Sequence, residues 1–222
     1  MLLREKVAAF DMDGTMIDSM IYWRNAYQEF LAERGLKMPA ALTHLSEEKV
    51  YARKACEAIC ETYGRALGMS MDDVWEAFSR LIVRHYATDV QLRPGILEYL
   101  DALRAQGVRV GVATATRQDM AEVALERLRL AERMDFGYFG EEMTKDRPEY
   151  FLRLAREQGA QPSECVMFED ALYSMKGAKA AGFRVYAIED SFARPDKPEI
   201  LRLCDRYFID YRELMNGEDT SK

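Results

Sequence analysis

The spacing of apolar residues changes along this chain, and each change predicts a different kind of structure. Residues 7–10 hold an unbroken apolar run, so residues 6–11 are expected to form a buried strand that ends at an aspartate. From Met16 onward, apolar side chains recur every three or four residues, the spacing of one helix face. Gly35 and Gly68 are the expected breaks in this pattern. We therefore predict that residues 16 to about 88 are helical throughout.

Short apolar runs alternate with helical spacing in the rest of the chain, after Leu92–Gly95. Strands are expected at residues 108–114, 134–139, 165–168, 183–188 and near 207–209, with helices between them. Such alternation indicates a parallel sheet with helices on both faces. The predicted fold class is α/β: a Rossmann-like three-layer parallel sheet core with an inserted α-helical cap domain. The core would comprise residues 1–15 and 91–222, and the cap residues 16–90.

Four local signals predict where helices begin. Ser46, Ser70 and Thr116 are each placed to accept a hydrogen bond from the first turn of a helix. Ser70 and Thr116 also have an aspartate three residues later, which is the spacing of a capping box. Pro148 suits the first position of another helix, where a missing N–H costs nothing.

Composition indicates a globular protein rather than a membrane protein. The 222 residues are 49% hydrophobic and 31% charged, which suits one or two domains with a sizeable core. No apolar run approaches the roughly 20 residues that a membrane span needs, and the first residues lack the pattern of a secretory signal. The four cysteines are scattered, so we expect reduced packing residues and a cytoplasmic protein.

Net charge restricts the possible partners. At -7 the chain has no basic stripe to neutralise a nucleic-acid backbone, so nucleic acid is not the expected partner. The same charge repels a phosphorylated small molecule. Local positive groups or a metal would therefore have to capture such a ligand.

Polar groups follow three of the predicted strands, at the edge of the sheet where α/β proteins bind ligands. The first strand leads into Asp11 and Asp13, the second into Thr114, and a later one into Glu169-Asp170. Converging carboxylates repel each other unless a cation lies among them, and an all-oxygen site suits Mg²⁺. Lys145, just before the helix at Pro148, would supply a positive charge.

These residues resemble the motifs of the haloacid dehalogenase-like (HAD) hydrolase superfamily, in the branch with a helical cap inserted after the first motif. Asp11-Met12-Asp13-Gly14-Thr15 matches the pattern D-x-D-G-T, and Thr114 matches the hydroxyl motif. Lys145 and Glu169-Asp170 match the lysine and acidic motifs. All four occur in order, and the resemblance covers nearly the whole chain outside residues 16–90. The β-phosphoglucomutase and phosphoglycolate phosphatase subgroups are the most similar.

The resemblance implies a role for each motif residue. Asp11 would be the nucleophile that forms an aspartyl-phosphate, and Asp13 would protonate the leaving group and then activate water. The side chains of Asp11 and Asp170 would bind Mg²⁺ together with the Asp13 carbonyl, and Glu169 would bind it directly or through water.

The phosphoryl group would be held by a second set of residues. Thr114, Ala115 and Lys145 would bind its oxygens, and the backbone N–H of Gly14 could also reach it. Arg117 either contacts substrate phosphate or is solvated at a helix start, and Thr116 is expected to be an N-cap. The family proline after the lysine is replaced by Asp146, which either tempers the lysine charge or points to solvent.

Three functions are compatible with these motifs. The expected one is a Mg²⁺-dependent phosphatase for a small phosphorylated metabolite, either a sugar phosphate or a nucleotide, acting as a monomer or weak homodimer. A β-phosphoglucomutase-like phosphomutase is the alternative, but residues 16–30 lack the mutase histidine and Leu42–Lys54 lacks the glycine near its cap arginine. A catalytically silent regulatory protein on the same fold is the third.

Overall fold

A computed structural model describes residues 3–39, 42, 52–140 and 144–216 of the chain, which divides into two units. The larger unit contains residues 1–18 and 91–222, and the smaller one Ser19–Val90. Residues 16–18, which the sequence assigns to the insertion, lie in the larger unit. Among the described residues, no helix combines the length and apolar character needed to cross a membrane.

The larger unit is built on a six-stranded parallel sheet with the order β3-β2-β1-β4-β5-β6. The strands are β1 (Val7–Phe10), β2 (Arg109–Ala113), β3 (Phe136–Tyr138), β4 (Cys165–Glu169), β5 (Arg184–Ile188) and β6 (Arg206–Phe208). β1 pairs with both β2 and β4, so the three strands that carry polar motifs are neighbours at the centre of the sheet. This arrangement confirms the predicted α/β class.

Helices alternate with these strands. They are α4 (Ile96–Ala105), α5 (Gln118–Arg127), α6 (Pro148–Glu157), α7 (Leu172–Ala181), α8 (Lys197–Leu203) and α9 (Tyr211–Asn216), and they follow the helices described in the smaller unit. Short 3₁₀ turns occupy Ala131–Arg133, Pro162–Glu164 and Ser191–Asp196. Pro148 stands in the first turn of α6, as its sequence position predicts.

Alternate residues of the central strand pack on opposite faces of the sheet. Val7 and Ala9 belong to a buried cluster with apolar residues of α6 and α7. On the other face, the Phe10 ring stacks on Phe168 with centroids 4.2 Å apart and meets the edge of Tyr99, on α4, at 6.4 Å. Because both faces are covered, the central strand β1 is apolar throughout rather than alternating with polar residues.

The smaller unit is helical in its described part. Its helices are α1 (Met20–Glu33), α2 (Ala52–Leu67) and α3 (Met71–Thr88). The Trp23 Nε1–H donates to the Tyr86 hydroxyl at 3.0 Å, and the Phe30 and Phe78 rings pack at 5.4 Å, so α1 and α3 share a core. The helix start predicted at Ser46 lies outside the described residues.

Of the two predicted capping boxes, one forms and one does not. The Asp73 N–H donates to Ser70 Oγ at 3.2 Å, and the Ser70 N–H donates back to the Asp73 carboxylate at 2.8 Å. At α5 the prediction for Thr116 is wrong. The N-cap position is Arg117, whose side chain makes no capping hydrogen bond, and the Thr116 hydroxyl donates to Asp13 instead.

Candidate active site

The carboxyl ends of β1, β2 and β4 bring the predicted motif residues to one edge of the sheet. Phe10, Val112 and Phe168 lie side by side in the register, so the residues that follow them leave the sheet together. The Asp11 N–H continues this pairing by donating to the Phe168 carbonyl at 2.9 Å. The backbone of Asp11 is thus fixed by the sheet.

Three carboxylates and one ammonium group are buried together at this edge. Lys145 Nζ lies 2.5 Å from Asp11 Oδ1 and 2.7 Å from Glu169 Oε2. Lys145 is only 3% exposed, and Glu169 only 1%. Asp11, Glu169 and Asp170 each present a carboxylate oxygen within 4.8 Å of the other two. When all three carboxylates and Lys145 are ionised, the cluster carries a net negative charge.

Loop contacts fix the orientation of the acidic pair. Glu169 Oε1 accepts the backbone N–H groups of Asp170 and Ala171, each at 3.1 Å. The Thr15 hydroxyl donates to Asp170 Oδ1 at 3.3 Å. Each acidic side chain is therefore held by a partner that does not depend on a bound cation.

Burial and like charge act on the protonation of the cluster. Burial, followed by the Glu169 carboxylate, raises the pKa of Asp11 to about 8 against the opposing pull of Lys145. Burial and Glu169 also raise the pKa of Asp170 well above its usual value. Burial lowers the pKa of Lys145, but the carboxylates of Asp11 and Glu169 outweigh it and raise that pKa well above its usual value.

The donor set suits a divalent cation. Asp11, Glu169 and Asp170 offer oxygen atoms alone, and hard cations such as Mg²⁺ take oxygen ligands. A divalent charge would also offset the repulsion that raises the pKa values of Asp11 and Asp170. The Asp13 side chain does not belong to the group of three carboxylates identified among the described residues.

Asp13 faces a different partner. The Thr116 hydroxyl donates to Asp13 Oδ2 at 2.7 Å, and the Thr116 N–H donates to Thr114 Oγ1 at 3.1 Å. The Thr114 N–H is itself fixed on the carbonyl of Tyr138, at 2.9 Å. The loop after β2 therefore connects the candidate phosphate-binding hydroxyl with the candidate proton carrier.

Two residues expected to bind phosphate are engaged elsewhere. The Gly14 N–H donates to the Ile17 carbonyl at 2.9 Å, and its φ of 83° lies in the left-handed region that favours glycine. Its contact with a phosphoryl group stays a prediction. Arg117 pairs with Asp119 of α5, its Nη2 lying 2.7 Å from Oδ2. Ala115 is exposed in the loop between Thr114 and Thr116.

The lysine loop is positioned by close packing against α7. A Cβ atom added to Gly177 would lie 2.4 Å from the Lys145 carbonyl oxygen, so only glycine permits this approach. Asp146, which replaces the family proline, has a side chain 51% exposed, with its Oδ2 3.9 Å from Arg147 Nε. Of the two readings of Asp146, the structure favours the solvent-facing one.

Sequence reasoning assigned no role in the site to Thr15 or Tyr211 and gave Thr116 only a capping role. The Tyr211 hydroxyl donates to the Thr15 carbonyl at 3.3 Å across 196 residues of sequence. Thr15 belongs to the first motif, and this membership could have indicated that it lies in the site. Nothing local in the sequence marks Tyr211 or the bond between Thr116 and Asp13.

Comparison with known proteins gives concordant matches. The chain is 30% identical over 181 residues to fructose-1-phosphate phosphatase YqaB of Escherichia coli, covering 78% of this chain and 90% of that protein. Hexitol phosphatase B of Escherichia coli is 27% identical over 211 residues, covering 87% and 88%. Among solved structures, CbbY of Rhodobacter sphaeroides in complex with phosphate has a TM-score of 0.74 at 23% identity, covering 95% and 96%.

A protein-family model also matches the chain. The model described as haloacid dehalogenase-like hydrolase matches residues 8–188, which include every motif residue named above. Together with the parallel sheet and the buried acidic edge, this match shows that the chain belongs to the haloacid dehalogenase-like hydrolase family.

Proposed function

We propose that this protein is a Mg²⁺-dependent phosphatase that hydrolyses a small phosphorylated metabolite through an aspartyl-phosphate. The observation that carries the proposal is the buried contact of Lys145 with Asp11 beside Glu169 and Asp170. Relatives named as sugar phosphate phosphatases support the reaction class and favour a sugar phosphate over a nucleotide. We also propose a cytoplasmic location, a monomer or weak homodimer, and the smaller unit, Ser19–Val90, as a cap that selects the substrate.

Asp11 is the proposed nucleophile. One of its carboxylate oxygens attacks phosphorus, the bond from phosphorus to the leaving oxygen breaks, and that oxygen takes a proton from Asp13. Water then attacks the same phosphorus, its proton passes to Asp13, and the Asp11 carboxylate is released. A carboxylate is a weak nucleophile, so in-line positioning and charge neutralisation must supply much of the acceleration.

Lys145 and Thr114 have supporting roles in this proposal. Lys145 screens Asp11 from Glu169 and places a positive charge beside the transferring oxygens. Thr114 presents a hydroxyl to the same oxygens. Burial strengthens both interactions because the site excludes much of the screening solvent.

Asp11, Asp170, Glu169 and the backbone carbonyl of Asp13 are the groups that would hold Mg²⁺. When bound, the ion supplies positive charge that offsets the carboxylates and the phosphoryl oxygens. The proposal for Mg²⁺ rests on the all-oxygen donor set and on the uncompensated charge of the cluster.

The test is phosphate release from a panel of substrates with Mg²⁺ or with EDTA. The panel contains fructose 1-phosphate, a hexitol phosphate, phosphoglycolate, a nucleoside monophosphate and 4-nitrophenyl phosphate. We expect turnover with Mg²⁺, and a loss of several orders of magnitude in Asp11→Asn. The exposed Asp146→Asn is the matched control and should retain activity.

Two outcomes would refute the proposal. Absence of turnover with every member of the panel would favour a silent protein on this fold. Conversion of a sugar monophosphate to its isomer without free phosphate, after addition of a bisphosphate activator, would establish a mutase instead.

A further inference from the structure

The Thr116 side chain is committed to Asp13 rather than to its own helix. Its hydroxyl donates to Asp13 Oδ2 at 2.7 Å, and the residue is only 8% exposed. Thr116 immediately precedes Arg117, the N-cap residue of helix α5, whose side chain makes no capping hydrogen bond. The hydroxyl is thus used for a contact that spans 103 residues of sequence.

The backbone of Thr116 is fixed on both sides. Its N–H donates to Thr114 Oγ1 at 3.1 Å, and its carbonyl accepts the Gly140 N–H at 3.1 Å. Threonine is also β-branched, which restricts its χ1 rotation. The hydroxyl is therefore presented to Asp13 from a rigid position. Asp13 is only partly buried, and this hydrogen bond restricts the orientation of its carboxyl group.

We propose that Thr116 is a positioning residue that holds the Asp13 carboxyl for proton transfer to the leaving group. This inference rests on the proposed phosphatase function and deepens it. A hydroxyl can donate to a carboxylate and, after rotation, accept from a carboxylic acid. Thr116 can therefore hold Asp13 both before and after Asp13 gives its proton to the leaving oxygen, and it exchanges no proton itself.

The same segment would couple proton transfer to phosphate binding. Thr114 Oγ1, which is proposed to meet the phosphoryl oxygens, accepts the Thr116 N–H. A phosphoryl group that orders Thr114 would thereby also order Thr116 and, through it, Asp13. Loss of the Thr116 hydroxyl should consequently impair the step that needs an acid and leave phosphoryl binding intact.

The experiment compares two substrates that differ mainly in the basicity of the leaving group. Phenyl phosphate needs protonation of its leaving oxygen more than 4-nitrophenyl phosphate does. The variants are Thr116→Val, which keeps the shape without the hydroxyl, Thr116→Ala as a second hydroxyl-free form, Thr116→Ser, which keeps the hydroxyl, and Asp13→Asn. The measured quantity is kcat/KM, which reports the first phosphoryl transfer.

We expect Thr116→Val and Thr116→Ala to lose about 10- to 100-fold on phenyl phosphate, the worth of a hydrogen bond to a charged group. The loss on 4-nitrophenyl phosphate should be below about threefold, since its leaving group needs little protonation. Thr116→Ser should restore most of the activity on phenyl phosphate. Asp13→Asn should show the same substrate dependence with a larger loss.

Other outcomes overturn the inference in distinguishable ways. If Asp13→Asn shows the leaving-group dependence and the hydroxyl-free Thr116 variants match wild type, the role of Thr116 is refuted and the proposed function stands. An equal loss on both substrates would assign Thr116 to binding or folding. If wild type turns over neither ester nor any member of the substrate panel with Mg²⁺, the proposed function fails and the inference fails with it.

Discussion

Replacing Lys145 by methionine should destabilise the core of the protein, chiefly when no metal is bound. Lys145 Nζ is the cation that contacts both Asp11 and Glu169, at 2.5 and 2.7 Å. Its side chain is 2% exposed, and those of its two partners are 9% and 1% exposed. Methionine keeps the length of the side chain and removes the charge, so Lys145→Met leaves the buried carboxylates without their ammonium partner.

The magnitude follows from this burial. Removing one partner of a buried ion pair costs about 3–5 kcal/mol, a large part of the roughly 5–15 kcal/mol by which domains are stable. With a urea m-value of about 2 kcal/mol/M, the midpoint should fall by about 1.5–2.5 M. Mg²⁺ should recover part of the loss because it supplies charge to the same carboxylates.

The assay is urea unfolding in EDTA and again in excess Mg²⁺, followed by far-UV circular dichroism. Tryptophan fluorescence would not serve, because Trp23 and Trp75 both lie in the smaller unit. Lys176→Met is the matched control. Its ammonium lies 2.7 Å from Glu199 Oε1 with both side chains about half exposed, so it should cost less than about 1 kcal/mol. If Lys145→Met is as stable as wild type in EDTA, the argument is refuted.

Three further predictions concern stability. Gly177→Ala should lower the melting temperature of the core, because the new Cβ would lie 2.4 Å from the Lys145 carbonyl oxygen. Helix propensity alone favours alanine by about 1 kcal/mol, so a raised melting temperature would contradict this. Ser70→Ala should lower the free energy of unfolding by about 1 kcal/mol, because it removes the capping box with Asp73. The tryptophan-fluorescence transition should then occur at a lower urea concentration, and an unchanged midpoint would contradict this. In EDTA, the stability linked to Asp11 should fall as pH rises from its ordinary pKa of 3.8 through about 8, because the folded state holds that proton more tightly than the unfolded state. At one fixed concentration, added Mg²⁺ should therefore stabilise more at pH 8 than at pH 6, because the carboxylate that binds it is more fully ionised at pH 8. Equal stabilisation at both pH values would contradict this.

The elements of the core were predictable because their signals are local. The apolar run ending at Asp11, the breaks at glycine and the proline at the start of α6 each depend on a few neighbouring residues. The strand expected at 134–139 is present as Phe136–Tyr138, shortened at both ends. The α/β class followed from the alternation of strands and helices, which restricts the possible topologies.

Contacts between distant residues were not predictable in the same way. The pattern at Thr116 matches a capping box, but the hydroxyl donates to Asp13 instead, because the sheet brings β1 and β2 together. Likewise, Gly14 fits a phosphate-binding turn by sequence, while its N–H is used within the loop. Local sequence indicates which hydrogen bonds a residue can form, and the pairing of the strands determines which partner lies within reach.

The central claim, that Asp11 becomes phosphorylated, is tested most directly by trapping the intermediate. The enzyme is mixed with 4-nitrophenyl phosphate and Mg²⁺, quenched in acid and reduced with borohydride, which converts an aspartyl-phosphate to homoserine. Peptide mass spectrometry should then find homoserine at position 11 in wild type and none in Asp11→Asn. Modification at any other residue, or full turnover by Asp11→Asn, would contradict the covalent mechanism.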